Sequence, residues 1–251
     1  MENRGIWPAA PIVAAILMAL GLAAGGWFIG DGFARAKMAE RYVTVRGLVA
    51  RDVRADIAVW DISYTATNND VTQANSAIDQ DAKLVIGFAH QHGFTDADIQ
   101  PIATRVTDQS QFGGNQNQGA GRYLVKGGIE IRSKDVNRVQ QTSQLTGELI
   151  QQGVVLNLDS DSGAANPAYY FTQLDAIRPS MLADSTRSAR AVAQQFANDS
   201  NSKLGAIRRA NQGVFEILPR DSSGSQDAFQ EPRSIDKTIR LVSTIDYYLE
   251  E

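Results

Sequence analysis

Cysteine is absent from this chain of 251 residues, and histidine occurs only twice. The absence of thiols excludes disulfides, thiolate catalysis and cysteine-based zinc sites, and leaves the redox compartment open. His90 and His92 lie two residues apart in a predicted helix, so their side chains point about 200° apart and cannot share a metal ion. We therefore predict surface histidines near a helix end and no metal site.

A surplus of positive charge is also missing. The chain has 24 Lys and Arg residues against 28 Asp and Glu, for a net charge of −4. Proteins that bind nucleic acids need a basic surface to meet the phosphates. The composition therefore predicts no nucleic-acid partner.

Sequence motifs for catalysis are scarce as well. The stretch 157–168 resembles a calcium loop but lacks the glycine at its sixth position and the glutamate at its twelfth. An S-x-x-K match at residues 200–203 ends a predicted helix instead of opening one, and no S-D-N or K-T-G companion accompanies it. We predict no catalytic residue and no cofactor, so no enzyme; an enzyme built from scattered carboxylates and hydroxyls is the further alternative.

One long apolar run, residues 6–29, contains 24 residues without an ionisable side chain. As a helix rising about 1.5 Å per residue, it can cross a hydrocarbon core about 30 Å thick. Trp7 at one end, and Trp27 with Phe28 at the other, are predicted interfacial anchors. We predict an uncleaved membrane anchor over residues 1–33. A signal peptide cleaved near 23–25 and a buried soluble helix are the alternatives.

Small residues recur within this predicted anchor. Gly21 and Gly25 are four residues apart, as are Gly26 and Gly30. This spacing lets two helix backbones approach closely in lipid, so these glycines are predicted packing positions for self-association of the membrane helix. The alternative is that glycine is simply common in membrane helices.

The flanking charges do not fix the orientation of the anchor. Lys and Arg are slightly more numerous on its C-terminal side, which weakly favours a cytoplasmic C-terminus, but a long tail translocates largely regardless of such charges. We predict a single-pass protein of the inner membrane whose main domain faces the periplasm or the outside, chiefly because of the family resemblance described below.

Residues 34–251 are predicted to form an α+β domain, in one piece or as two lobes at about 41–172 and 173–251. Runs of paired strands separated by helices indicate helices packed on a mainly antiparallel sheet. Three helices are predicted, between Asp70 and Gly93, at 133–152 and at 174–196, and polar loops at 107–121 and 221–233. The predicted strands are 42–50, 56–67, 99–106, 122–131, 154–158, 169–172, 205–218 and 234–249.

Several local patterns give these predictions more detail. Pro101 cannot donate a backbone hydrogen bond and therefore suggests an edge strand or the start of a strand. The glycines Gly93 and Gly153 are predicted to end the first two helices of the domain. Helical spacing places Ile150 among the inward residues of the second helix and Phe196 within the apolar stripe of the third.

The order of these elements and several short phrases resemble the SIMPL-domain family of bacterial envelope proteins. The phrases are V-T-V-R-G at 43–47, G-F-T-D-A-D-I at 93–99, the strand at 123–131, D-V-N-R-V at 135–139 and F-A-N-D-S-N-S-K-L-G-A-I at 196–207. The resemblance covers roughly residues 41–251. The chain differs from the family in one respect. Many members have a cleavable signal sequence, whereas this chain is predicted to keep its anchor.

The resemblance implies an outward-facing domain without established enzymatic activity, a tendency to form ring-like homo-oligomers, and an association with envelope or oxidative stress. We therefore predict a membrane-anchored, self-assembling protein with the bilayer and its own copies as partners, and an unidentified envelope protein as a further candidate. The alternative function is a periplasmic binding module for a small ligand or a protein, using the polar loops. Five basic residues are candidate contacts to lipid or to a neighbouring subunit, or a solvated surface: Arg187, Arg190, Lys203, Arg208 and Arg209.

Overall fold

The computed structural model describes residues 9–38, 41–112, 121–157, 166–220 and 232–250. Within the first helix, side chains are described from Val13 to Gly32. The chain is α+β, with an N-terminal apolar helix, two sheets and further helices, which confirms the predicted class.

The first helix, α1 (Ala9–Met38), contains the apolar run. Its segment Val13–Gly32 has a mean hydropathy of 2.0 and none of it is buried against the rest of the protein. By length and composition this helix can cross a membrane, as either an anchor or a signal sequence.

A four-stranded sheet has the order β3-β4-β2-β5, with strands β2 (Ile57–Asn68), β3 (Ile99–Asp108), β4 (Tyr123–Ser133) and β5 (Ala168–Tyr170). All three pairings are antiparallel, and β2 with β4 runs in unbroken register from Ala58↔Ser133 to Asn68↔Tyr123. Pro101 lies in β3, an edge strand, as its missing N–H predicted. The predicted strand at 154–158 is reduced to a single bridge between Leu156 and Tyr64.

One face of this sheet packs against helix α2 (Val71–Gln91). Asp70 caps the helix by accepting from the N–H groups of Thr72 and Gln73, and Gly93 follows it with a positive φ of 84°. The core alternates along β2, because every second side chain of a strand points to the same face. Its central members are Trp60, Ile62, Tyr64, Ile78, Val85, Phe88, Val125, Ile129 and Ile131.

The predicted helix at 133–152 is divided, which corrects the expected number of helices. It forms α3 (Val136–Ser143) and α4 (Gly147–Gln151), and Gly153 follows with a φ of 91°. Leu149 is buried as predicted, but Ile150 is 57% exposed. The break before Gly147 rotates α4 relative to the helical register that the prediction extended from α3.

The second sheet has the order β1-β7-β6, with β1 (Tyr42–Arg54), β6 (Lys203–Pro219) and β7 (Asp236–Glu250). The N–H of Leu249 donates to the carbonyl of Arg41, and Thr44 donates to Asp246, so β1 and β7 run antiparallel. Strands β1 and β6 are longer than the alternating patterns predicted, whereas β7 begins two residues later than predicted.

The chain divides into two compact units, each assembled from separate stretches. Unit 1 comprises Met1–Leu48, Asp184–Gly213 and Val242–Glu251, and unit 2 comprises Val49–Ala183 and Val214–Leu241. The four-stranded sheet belongs to unit 2, whereas β1, β6, β7 and helix α5 (Leu174–Asp199) contribute to both. The boundary near residue 172 stays a prediction.

In unit 1, the apolar stripe predicted for α5 is buried only in part, because two of its members, Ala189 and Ala193, are fully buried but its aromatic member is not. Phe196 is 53% exposed, whereas small residues spaced by four are fully buried. They face the sheet beside Gly47, whose lack of a side chain leaves room for the helix backbone. Helix α5 and strand β1 therefore pack closely through small residues rather than through bulky apolar side chains. The buried row of α5 consists of Ser185, Ala189, Ala193 and Ala197.

Candidate functional site

A polar cavity of about 490 Å³ lies within unit 2. Its lining includes Pro167, Tyr169 and Ile235, together with charged, amide and hydroxyl side chains from the end of α3, from Asn166, from the residue after β6 and from residues 233–236. Ligand pockets have volumes of about 300–1,000 Å³, so the cavity is large enough for a small molecule. The polar lining residues are Gln140, Ser143, Gln144, Asn166, Arg220, Arg233, Ser234 and Asp236.

Arg220 is held in place on one side of the cavity. Its guanidinium lies 3.4 Å from the carboxylate of Asp52 and 3.5 Å from that of Asp236. Thr238 donates a hydrogen bond of 2.7 Å to Asp52, and this bond, with Arg220, holds the pKa of Asp52 below its usual value. The charge of Arg220 is therefore shared between two carboxylates before any ligand enters.

Arg233 also lines this cavity but, unlike Arg220, has no carboxylate partner among the described residues. It is exposed and forms no ion pair or hydrogen bond with another residue in the described part of the chain. Ser234 donates to the carbonyl of Asp236 at 2.6 Å and Ser143 to that of Gln140 at 2.8 Å, which leaves the two hydroxyl oxygens as acceptors. Among the described residues, the cavity thus combines one cation without an ion pair, Arg233, with neutral donors and acceptors.

Two residues that line the cavity, Tyr169 and Pro167, are buried. Tyr169 is 5% exposed, and burial raises the pKa of its hydroxyl, which stays protonated at neutral pH. Ligand pockets commonly combine apolar lining residues of this kind with a small number of polar groups.

Sequence reasoning did not assemble this cavity. It singled out the loop at 221–233 as a binding element, and Arg220 and Arg233 flank the part of that loop that lies outside the described residues. The lining residues come from four separate stretches of the chain, without a common spacing. The single available signal was a pair of arginines at the two ends of a polar loop.

The predicted membrane-helix residues can be placed only in part. Trp7 lies outside the described residues. Trp27 and Phe28 are each 76% exposed, which fits side chains that face lipid rather than protein. A β-carbon added at any glycine of the predicted packing positions would meet no atom within 4 Å, so these positions are open to another helix: Gly21, Gly25, Gly26 and Gly30.

The five basic residues all belong to unit 1 but lie on different elements. Arg187 pairs with Asp184 at 2.9 Å and is 77% exposed, and Arg190 lies beside it on α5. Lys203 opens β6, which also carries Arg208 and Arg209. The guanidinium of Arg208 lies 4.2 Å from the ring centre of Tyr42, a cation–π contact. Their role as contacts to lipid or to a neighbouring subunit stays a prediction.

The two histidines contact different carboxylates. His90 lies 2.9 Å from Asp96, and His92 lies 3.3 Å from Glu148. Among the described residues, no group of three or more metal-binding side chains comes together. Of the rejected motifs, Ser200 follows the end of α5, and most of the calcium-loop-like stretch (158–165) lies outside the described residues.

A family model matches most of the chain. Residues 43–241 match SIMPL, a protein family of unknown function (DUF541), so the chain belongs to the SIMPL family. The matched region begins in β1 and ends within β7, so it includes the four-stranded sheet, part of the three-stranded sheet and the residues that line the cavity. No curated protein matches the chain.

Proposed function

We propose that this SIMPL protein is anchored in the inner membrane by α1 and assembles through its outward-facing domain into a ring- or cage-like homo-oligomer. Its role is structural, as a scaffold or conduit of the cell envelope, rather than enzymatic. The exposed apolar helix supports the anchor, since a helix of this length without buried contacts is unstable in water. Membership of the SIMPL family supports the envelope location.

The edges of the three-stranded sheet carry the argument for assembly. Strands β1 and β6 each pair with β7 alone within the described residues, so the sheet has two unlike open edges. In unit 1, every residue of β6 from 206 to 212 is exposed. When one edge meets the unlike edge of the next copy, the contact repeats until the rotation closes a ring.

Basic side chains on β6 favour a specific contact over indiscriminate pairing. Lys203, Arg208 and Arg209 lie on the strand, and charges on an open edge disfavour random strand addition. Exposed apolar side chains are present as well, since Ile207 is 48% exposed. An edge with both features suits a partner of matched shape, such as another copy of the same chain.

Mass photometry of the full-length protein in detergent tests the assembly. We expect a discrete multi-subunit species, and we expect Ile207→Asp to shift it towards smaller species because the acid must be desolvated at the edge. Ile150→Asp is the matched control, because Ile150 is equally aliphatic and 57% exposed but lies on α4. A monodisperse monomer for the unmodified chain overturns the assembly proposal.

Membrane fractionation tests the anchor separately. The full-length protein should remain in the membrane pellet after alkaline carbonate extraction, and its intact mass should include the N-terminal residues. A chain lacking residues 1–40 should be found in the soluble fraction. A mature protein that begins beyond Trp27 shows that α1 is a cleaved signal sequence and overturns the anchor.

A further inference from the structure

We propose that the polar cavity of unit 2 binds a small carboxylate that also carries hydroxyl groups, of about the size of a sugar acid. This inference goes beyond the proposed assembly and does not depend on it. The cavity is lined by residues of one unit only, and its volume of about 490 Å³ exceeds what a single anion such as acetate would fill.

The charge of the cavity favours an anion. Arg220 and Arg233 line it against one carboxylate, that of Asp236. Asp236 is already within 3.5 Å of Arg220, and Arg220 is shared further with Asp52. Arg233 is therefore the residue with an available charge, and its planar guanidinium offers paired N–H donors that match a carboxylate.

The remaining lining groups favour a ligand with hydroxyls rather than a bare anion. The side-chain amides of Gln140, Gln144 and Asn166 each offer both donors and an acceptor, as a hydroxyl group requires. None of these three amides makes a hydrogen bond with another described residue. Three uncommitted amides around one uncommitted arginine define a ligand with one anionic end and several neutral polar groups.

Hydrogen bonds next to Arg233 hold its segment of the chain in place and would orient a bound ligand. The carbonyl of Asp236 accepts from Ser234, and the backbone N–H of Arg220 donates to the same carbonyl at 3.1 Å. These bonds fix the segment next to Arg233 to the end of β6. A ligand carboxylate at Arg233 would then lie near an anchored wall, with its hydroxyls directed towards the amides of α3.

Isothermal titration of the full-length protein with D-glucuronate, D-glucose and acetate tests the proposal. We expect glucuronate to bind with a Kd below about 1 mM, and glucose and acetate each to bind at least about tenfold more weakly. Glucose as tight as glucuronate overturns the role of the charge, and acetate as tight overturns the role of the hydroxyls. An absence of glucuronate binding at about 10 mM overturns the proposal altogether.

Variants assign the binding to the cavity. Arg233→Gln should weaken glucuronate about tenfold or more, because a charge-assisted hydrogen bond is lost, and Arg233→Lys should recover part of the loss. Gln144→Leu should weaken glucuronate but leave acetate unchanged. Arg187→Gln, which removes an exposed arginine from α5, is the control and should bind as the unmodified protein does. Equal binding by Arg233→Gln overturns the assignment, while the oligomer mass of each variant reports on assembly independently.

Discussion

The backbone carbonyl of Ser185 lies directly against the α-carbon of Gly47, so that helix α5 and strand β1 meet without a side chain between them in unit 1. A β-carbon at Gly47 would overlap this carbonyl and would come within 2.8 Å of the backbone nitrogen of Ala189. Backbone atoms cannot rotate away as a flexible side chain can. The contact therefore makes glycine a requirement of the packing rather than of the strand conformation.

Gly47→Ala should destabilise the protein by about 1–3 kcal/mol, the usual cost of overpacking a well-filled core. The methyl group forces α5 away from the sheet and opens the row of buried alanines behind it. Urea unfolding of the domain followed by circular dichroism measures the change. An unchanged midpoint would show that the helix moves away at no cost.

Gly87→Ala should have the opposite effect. Gly87 lies inside α2, and a β-carbon there meets no atom within 4 Å. Alanine is favoured over glycine in a helix interior by about 1 kcal/mol, so the unfolding midpoint should rise. The two glycine variants thus separate a requirement of packing from an effect of helix propensity. A lower unfolding midpoint for Gly87→Ala would contradict the open space beside Gly87.

The hydroxyl groups of Ser185 and Ser243 form a buried hydrogen bond of 2.8 Å in unit 1. Ser185→Ala and Ser243→Ala should each destabilise the protein by about 0.5–1.5 kcal/mol, and the double variant should cost less than the sum. Chemical unfolding of all four proteins gives the coupling energy. Strictly additive effects would show that the two hydroxyls act independently.

Tyr64 should make the protein sensitive to alkaline pH. Burial, together with the nearby carboxylates of Asp81 and Asp79, raises the pKa of Tyr64 to about 12 from an ordinary value of 10.0. Because the folded pKa is higher, the unfolded chain loses its proton first. The stability that this group contributes is complete below pH 10 and is lost as the pH rises towards 12.

Urea unfolding at several pH values between 8 and 11.5, for the unmodified protein and Tyr64→Phe, measures this effect. The variant should lose less stability over the alkaline range, although it keeps the other tyrosines. Parallel pH profiles for the two proteins would exclude a contribution from Tyr64.

Asp108 and Arg122 hold together the ends of β3 and β4. Arg122 donates three hydrogen bonds of 2.8–3.3 Å to the Asp108 carboxylate, and this pairing lowers the pKa of Asp108. The contribution is present above the ordinary pKa of 3.8 and is lost as the pH falls below it. Arg122→Gln should therefore speed amide hydrogen exchange at Gln109, whose N–H donates to the Arg122 carbonyl.

Arg105→Gln is the matched control for that variant, since Arg105 is an exposed arginine of the same hairpin. Exchange measured by mass spectrometry at pH 7 should change for Arg122→Gln and not for Arg105→Gln. Equal protection in both variants would show that the strand ends do not depend on this ion pair.

Strand β2 is an element whose buried residues could be predicted from the sequence. Trp60, Ile62 and Tyr64 alternate with polar residues, and all three are at most 2% exposed, because the period of a strand is a local property. The same reasoning placed Pro101 at a sheet edge. Local patterns could therefore predict the strands of the four-stranded sheet and helix α2, but not the order in which the strands pair.

Contacts that depend on distant pairing could not be predicted in this way. The buried row of α5 consists of small residues, and the predicted stripe contained only two of them, Ala189 and Ala193. Hydrophobicity added Phe196 and left out Ser185, whose burial is explained by the close approach of Gly47. Similarly, Arg220 and Arg233 reach one cavity with Gln140 only because β6, β7 and α3 meet in the folded chain. The spacing of four between Ser185 and Ala189 was the local sign of the packing of α5 against Gly47. Alanine is common in helices, so this spacing did not stand out in the sequence.

The central strand of the three-stranded sheet, β7, is also the last element of the chain. During synthesis, β1 leaves the ribosome early but has no pairing partner until some two hundred further residues have followed. The antiparallel pair of β2 and β4 with α2, by contrast, is complete once residue 133 has been made. Loss of β7 would therefore leave both β1 and β6 without the strand with which each of them pairs among the described residues.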